Sequence, residues 1–98
     1  MLDHLSPREC DDLERAYRSR EIWARVLREF YLDGTRLILG IDRSVPETAI
    51  AAALDLDRDA ARAGLASAAS WCGARGLHLL GYAGESPGEG LRHFMAVG

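Results

Sequence analysis

Two arginines one helical turn apart, Arg58 and Arg62, carry the most pointed chemistry in this sequence of 98 residues. At the start of a helix such a pair can reach phosphate oxygens or a guanine edge. Arg43 and Arg92 are two further guanidiniums placed to reach a phosphate. These four arginines are the candidates for contact with phosphate. Asp55, Asp57 and Asp59 lie beside the pair and weaken its positive potential, so a plain solvated helix face is the competing reading. His78 and His93 are expected to face each other across a hairpin, which makes half a metal site at most. No Cys or third ligand accompanies them, so no metal is expected. Cys10 and Cys72 are far apart with no CxxC spacing and read as free thiols. Cys10 falls in the first turn of a helix, where a thiol pKa can drop, but no His or second Cys stands next to it. No GxxxxGK[ST], GxGxxG after a strand, HExxH or GxSxG occurs. The sequence therefore gives no reason to expect an enzyme or a cofactor.

Composition sets the frame for these residues. Hydrophobic residues make up 48% and charged residues 28%, the balance of a folded globular chain. The length fits a single domain over residues 1–98. The formal net charge is −3, so nucleic-acid binding would need a local cluster of arginine on one face. All twelve cationic residues are arginine and none is lysine, a bias that a GC-rich coding sequence explains as well as phosphate recognition does. No apolar run reaches the roughly 18 residues of a membrane span. The start, MLDHLSPREC, lacks the basic and apolar regions of a signal peptide. A cytoplasmic protein is the expectation.

The elements that must position the arginines follow from capping signals and periodicity. Ser6-Pro7-Arg8-Glu9 reads as a capping box with proline at the first helical position. Leu13, Ala16, Tyr17, Trp23, Leu27, Phe30 and Tyr31 recur near a 3.6 period, which predicts one long helix over about residues 7–32, stopped by Asp33-Gly34. Thr35–Ile41 is apolar and β-rich and predicts a strand. Ser44-Val45-Pro46-Glu47 reads as a second capping box, opening a helix to about Leu54 with Ile50, Ala53 and Leu54 turned inward. Asp55-Leu56-Asp57 makes a turn and Asp57 caps a third helix, which runs through Arg75 to Gly76. Ala61, Leu65, Ala68 and Cys72 are its inward positions. Gly64 inside that helix implies a close neighbour, most simply the first helix. Leu77–Ala83 and Leu91–Val97 are expected strands, joined by the Gly-rich loop 84–90.

From Thr48 the order and spacing resemble the winged helix-turn-helix superfamily. The segment that carries the resemblance is TAIAAALDLDRDAARAGL, Thr48–Leu65. Ala52 fills the small position of the first helix, Leu56 the apolar turn and Asp57 the polar cap. Ala61 and Leu65 fill the two anchors of the second helix. The resemblance implies an α+β fold of three helices, a small antiparallel sheet and a C-terminal wing hairpin. It also implies a second helix laid in a DNA major groove. Two features depart from the pattern. The third helix is about one turn longer than usual, and its surface is dominated by small residues (Ala60, Ala63, Gly64, Ala66, Ser67, Ala69, Ser70) that would let another helix approach.

Two functions follow as expectations. The first is a small DNA-binding regulator, a homodimer in its simplest form, that binds double-stranded DNA through Arg43, Arg58, Arg62 and Arg92. The second is a protein-interaction module, such as a phage- or plasmid-type inhibitor or adaptor of a nucleic-acid-processing complex. Glu85 and Glu89 at the wing tip favour the second, because an acidic tip is repelled by a DNA backbone and suits a basic protein surface. Joint exposure of Trp23 and Tyr31 would point to a dimer or partner surface.

Overall fold

Position 20 decides how the N-terminal half folds. An uninterrupted helix with core positions at Leu13, Ala16, Tyr17, Ala24 and Leu27 would place residue 20 on the apolar stripe. Residue 20 is an arginine. In the computed structural model, which describes residues 3–86, 88 and 90–97, the helix breaks there. α1 spans Pro7–Arg18 and α2 spans Ile22–Phe30. Between them Arg20 adopts a left-handed backbone with φ 61°, and Glu21 is extended. The elbow swings Arg20 out to solvent and lets Leu13 and Ala16 of α1 and Ala24, Val26 and Leu27 of α2 all face the core. The expected single helix is thus two, and the described residues form four α-helices where three were expected. The Ser6–Glu9 capping box forms as expected.

The next segment also departs from expectation. β1 (Leu32–Asp33) and β2 (Arg36–Leu37) make a two-residue-deep hairpin around Gly34, whose φ of 64° suits glycine. The predicted strand Thr35–Ile41 therefore survives only at Arg36–Leu37, because the turn at Gly34 folds it back on its predecessor. Residues 3–5 extend this hairpin: Leu37 N–H donates to the Asp3 carbonyl at 2.7 Å and Leu5 N–H to the Thr35 carbonyl at 2.8 Å. Gly40 (φ 117°) and a single 3-10 turn, Ile41–Arg43, lead into β3, Val45–Pro46.

β3 lies where the second capping box was expected. Val45 pairs with His93 and Pro46 with Arg92, so this stretch extends along a sheet instead of opening a helix. Proline is tolerated because β3 is an edge strand. α3 then starts at Glu47 and ends at Leu54, with no side-chain cap. Ile50 and Leu54 are buried as predicted, whereas Ala53 faces solvent. Asp55, with φ 56°, turns the chain, and Asp57 caps α4 (Arg58–Gly73) by accepting the Ala60 N–H at 2.7 Å. α4 stops two residues before the expected end at Arg75. Ala61, Leu65, Ala68 and Cys72 are all buried.

β4 (Leu77–Ala83) and β5 (Leu91–Val97) have the expected bounds. The three-stranded antiparallel sheet runs β3-β5-β4. Its register opposes His78 to Ala96 and His93 to Gly81, so the expected His78–His93 pair does not form. The turn centres farther along the loop than a Glu85–Ser86 centre would put it, which shifts the pairing by three residues and moves the two histidines to opposite faces.

The fold class is α+β. One core joins the two halves. Tyr31, fully buried at the end of α2, donates its hydroxyl to the His93 carbonyl of β5 at 2.7 Å. Trp23 of α2 and Trp71 of α4 meet with ring centroids 5.4 Å apart. Trp23 is half-buried and Tyr31 has no exposure, so the two do not form a shared surface patch. Gly64 has the close neighbour its position implied: a Cβ there would overlap Ile22 Cγ2 and sit 3.1 Å from Ile22 Cβ.

Two substitutions test this packing by chemical denaturation. Gly64→Ala gains about 1 kcal/mol of helix propensity but collides with Ile22. We expect a net loss of about 1–2 kcal/mol that shrinks in an Ile22→Ala background. Arg20→Gly relieves a left-handed residue and should leave stability unchanged or raise it by up to about 1 kcal/mol. An Arg20→Gly loss comparable to that of a mid-helix glycine would refute the elbow.

Candidate nucleic-acid interface

α4 projects the arginine pair because its buried positions, Ala61, Gly64, Leu65, Ala68 and Cys72, occupy one stripe. The opposite stripe, Arg58, Arg62, Ala63, Ala66, Ser67 and Ser70, is exposed. Its small residues leave the helix backbone accessible to a flat or grooved partner. Arg58 lines a cavity of about 420 Å3 with Glu47, Thr48, Ala51, Gly88 and Gly90, so Gly88 and Gly90 border the same cavity as the start of α4.

Arg62 is occupied. Its Nε donates to Glu47 Oε1 at 2.8 Å. The Glu47 side chain is only 6% exposed, and a carboxylate so placed needs a cationic partner. Arg62 thus neutralises a buried charge at the first residue of α3 and locks α3 to α4. Arg92 is occupied as well: Nε donates to Ser44 Oγ and Nη2 to the Ser44 carbonyl, both at 3.0 Å. The Ser44 hydroxyl also meets Tyr82 Oη at 2.9 Å. Ser44, expected to cap a helix, instead ties β3 to the hairpin. Arg43 is exposed, but it lines a different cavity, of about 630 Å3, shared with Asp3, Glu29, Asp33 and Arg36. The four predicted residues therefore do not form one basic face. Arg58 and Arg62 share the exposed stripe of α4, Arg92 is bound to Ser44 and Arg43 sits among carboxylates.

His93 stands close to this site. It shares a cavity of about 510 Å3 with Glu47, Arg62, Leu65, Leu79 and Leu91, between α4 and the sheet. Its Nε2 is buried without a hydrogen-bond partner. Burial lowers its pKa from the usual 6.5; the Glu47 carboxylate opposes that shift and Arg62 adds to it. Gly81 opposite lets the ring fit, since a Cβ there would lie 3.1 Å from Cε1 and Nδ1.

The remaining candidates sort simply. His78 is exposed on β4. Among the described residues no group of three His, Cys, Asp or Glu side chains converges on a point that could hold a metal. Both cysteines are free, and burial pushes the Cys72 thiol up to about 11, so it stays protonated near neutral pH. Glu85 is exposed beside the hairpin loop, while Glu89 lies outside the described residues. Ala52, given the small interhelix position, faces solvent. Among the described residues no helix is long and apolar enough to cross a membrane.

Charge is distributed differently from expectation. Residues 15–28 hold five arginines and one glutamate, while the rest of the chain holds seven arginines against fourteen carboxylates. The strongest local positive charge is therefore on α1 and α2, and the run RAYRSREIWARVLR was the signal for it. Buried Glu47 was the other residue missed. A glutamate after Ser-Val-Pro reads as a capping partner, and only the strand at Val45–Pro46 turns it inward.

No protein-family model matches this chain, and neither a curated protein nor a solved structure shows significant similarity to it.

Arg62→Ala should cost about 2 kcal/mol by stranding the Glu47 carboxylate, and Arg62→Gln, which keeps a donor, should cost less. Arg58→Ala should stay within about 0.5 kcal/mol. A histidine with a lowered folded-state pKa binds protons more readily when unfolded. Its stabilisation is complete above the usual 6.5 and drains away as pH falls through that value towards the folded pKa. Stability should therefore decline as pH falls below about 6.5, and His93→Gln should flatten that limb. A stability curve unchanged by His93→Gln would contradict the assignment.

Proposed function

We propose that this chain is a winged-helix domain that docks on duplex DNA through the exposed stripe of α4. The observation that carries this reading is the arrangement of its C-terminal half. A helix pair joined at Asp55–Asp57 precedes a hairpin, and the hairpin's second strand pairs with a short strand ahead of the helices, giving the order β3-β5-β4. This chain path supports the winged-helix reading, in which the second helix would enter the major groove. Ala63, Ala66, Ser67 and Ser70 would allow close approach to base edges. Arg58 at the N-terminal end of α4 supplies a guanidinium for a phosphate or a guanine. Arg62 contributes through the arm of its fork that Glu47 leaves over. Arg43, beside carboxylates on another cavity, and Arg92, bound to Ser44, fall outside this contact face.

A second reading is favoured by charge. Asp55, Asp57 and Asp59 flank the start of α4, Glu85 is exposed on the hairpin loop, and one of the two arginines on the α4 stripe is spent on Glu47. That surface would suit a basic protein partner, as an adaptor or inhibitor of a nucleic-acid-handling complex.

The two separate cleanly by salt. A DNA-binding α4 should give duplex affinity that falls steeply with ionic strength, and Arg58→Ala should reduce the log–log slope by about 1. Arg62→Gln is the proper companion, because Arg62→Ala perturbs the fold. Absence of duplex binding at low salt would leave the protein-partner reading standing and sink the first.

A further inference from the structure

We infer that the elbow between α1 and α2 is a binding site for a phosphate group. Tyr17, Arg18, Arg20 and Arg25 line one surface cavity there of about 370 Å3. Three arginines line this one cavity, and their combined positive charge favours an anion there. The nearby carboxylates are engaged at its margins. Glu14 accepts from Arg18 Nη2 at 2.9 Å, Glu29 accepts the Tyr17 hydroxyl at 3.1 Å, and Glu21 accepts Trp23 Nε1–H at 3.4 Å. Arg25 is held by donating to the Leu54 carbonyl at 3.3 Å, and Arg28 lies 4.2 Å over the Tyr17 ring. Among the described residues the Arg20 guanidinium has neither a hydrogen bond nor an ion pair.

Any polar residue at position 20 would break the apolar stripe, but the fold does not call for one as long as arginine. The φ of 61° at Arg20 suits glycine or asparagine, and a long side chain there adds strain. What it does contribute is the third positive charge of the cavity. Guanidinium forks match the several oxygens of a phosphate better than a single carboxylate would fill them. The volume is that of a small-ligand pocket. It is large enough to take a compact phosphate-bearing molecule. Through Arg25 and Leu54 the site touches the last turn of α3, one step from the turn into α4. The inference stands apart from DNA binding by α4.

The test titrates the full chain at low ionic strength with inorganic phosphate and with pyrophosphate, by calorimetry and by the Nε–H signals of the arginines. Wild type should bind pyrophosphate saturably. Arg20→Gly should bind at least tenfold more weakly while melting no lower than wild type, and Arg18→Gln should weaken binding with the fold intact. The inference is overturned if neither probe binds saturably, or if Arg20→Gly binds as wild type does. It is equally overturned if Arg20→Gly loses affinity for duplex DNA alone, which would give these arginines to a nucleic-acid backbone.

Discussion

The rest of the structure depends on how closely α2 can lie against α4, and a single hydrogen sets that distance. Gly64 meets Ile22 where any side chain would overlap it. The contact seats Trp23 against Trp71 and brings α2 over the buried stripe of α4. With α2 so placed, Tyr31 at its end reaches the backbone of β5, and its hydroxyl satisfies the His93 carbonyl inside the core. Burial drives the Tyr31 pKa well above its usual value, so the hydroxyl keeps the proton it donates. Helix packing and sheet position are thus fixed by one close approach and one buried hydrogen bond.

A second constraint shapes the candidate interface. Glu47 is buried at the start of α3, and Arg62 must answer it. The pair holds α3 and α4 in register, and it also takes from α4 half of the positive charge that a groove-binding helix would use. The chain places its surplus arginine elsewhere, on α1 and α2. An acidic domain of this kind can approach a polyanion only with a defined face. Affinity would have to come from shape along the small-residue stripe as much as from charge.

Much of the scaffold was legible in the sequence. The Ser6–Glu9 box, the Asp57 cap, the buried series Ala61–Leu65–Ala68–Cys72 and both long strands follow from local rules that tertiary contacts left alone. Gly64 announced its neighbour. What failed depended on contacts remote in sequence or on phase. The gap in the apolar stripe at Arg20 was the visible sign of the elbow, but a period fitted over 26 residues absorbs one missing position. Ser44-Val45-Pro46-Glu47 satisfies a capping pattern, and only pairing with β5 makes it a strand. The hairpin register turned on where a loop of three glycines bends, which local sequence does not determine. Of the candidate site, Arg58 and Arg62 were found on the expected face. The partners that hold Arg62 and Arg92, Glu47 and Ser44, were hidden because each had a plausible local role.

The most direct measurement of the central claim is a 1H–15N correlation titration of the protein with random-sequence duplex DNA at low salt. If α4 docks on the duplex, the largest shifts fall on Arg58, Ala63, Ala66, Ser67 and Ser70, and they collapse as salt rises. Shifts confined to the α1–α2 elbow, or none at any salt, would contradict docking through α4.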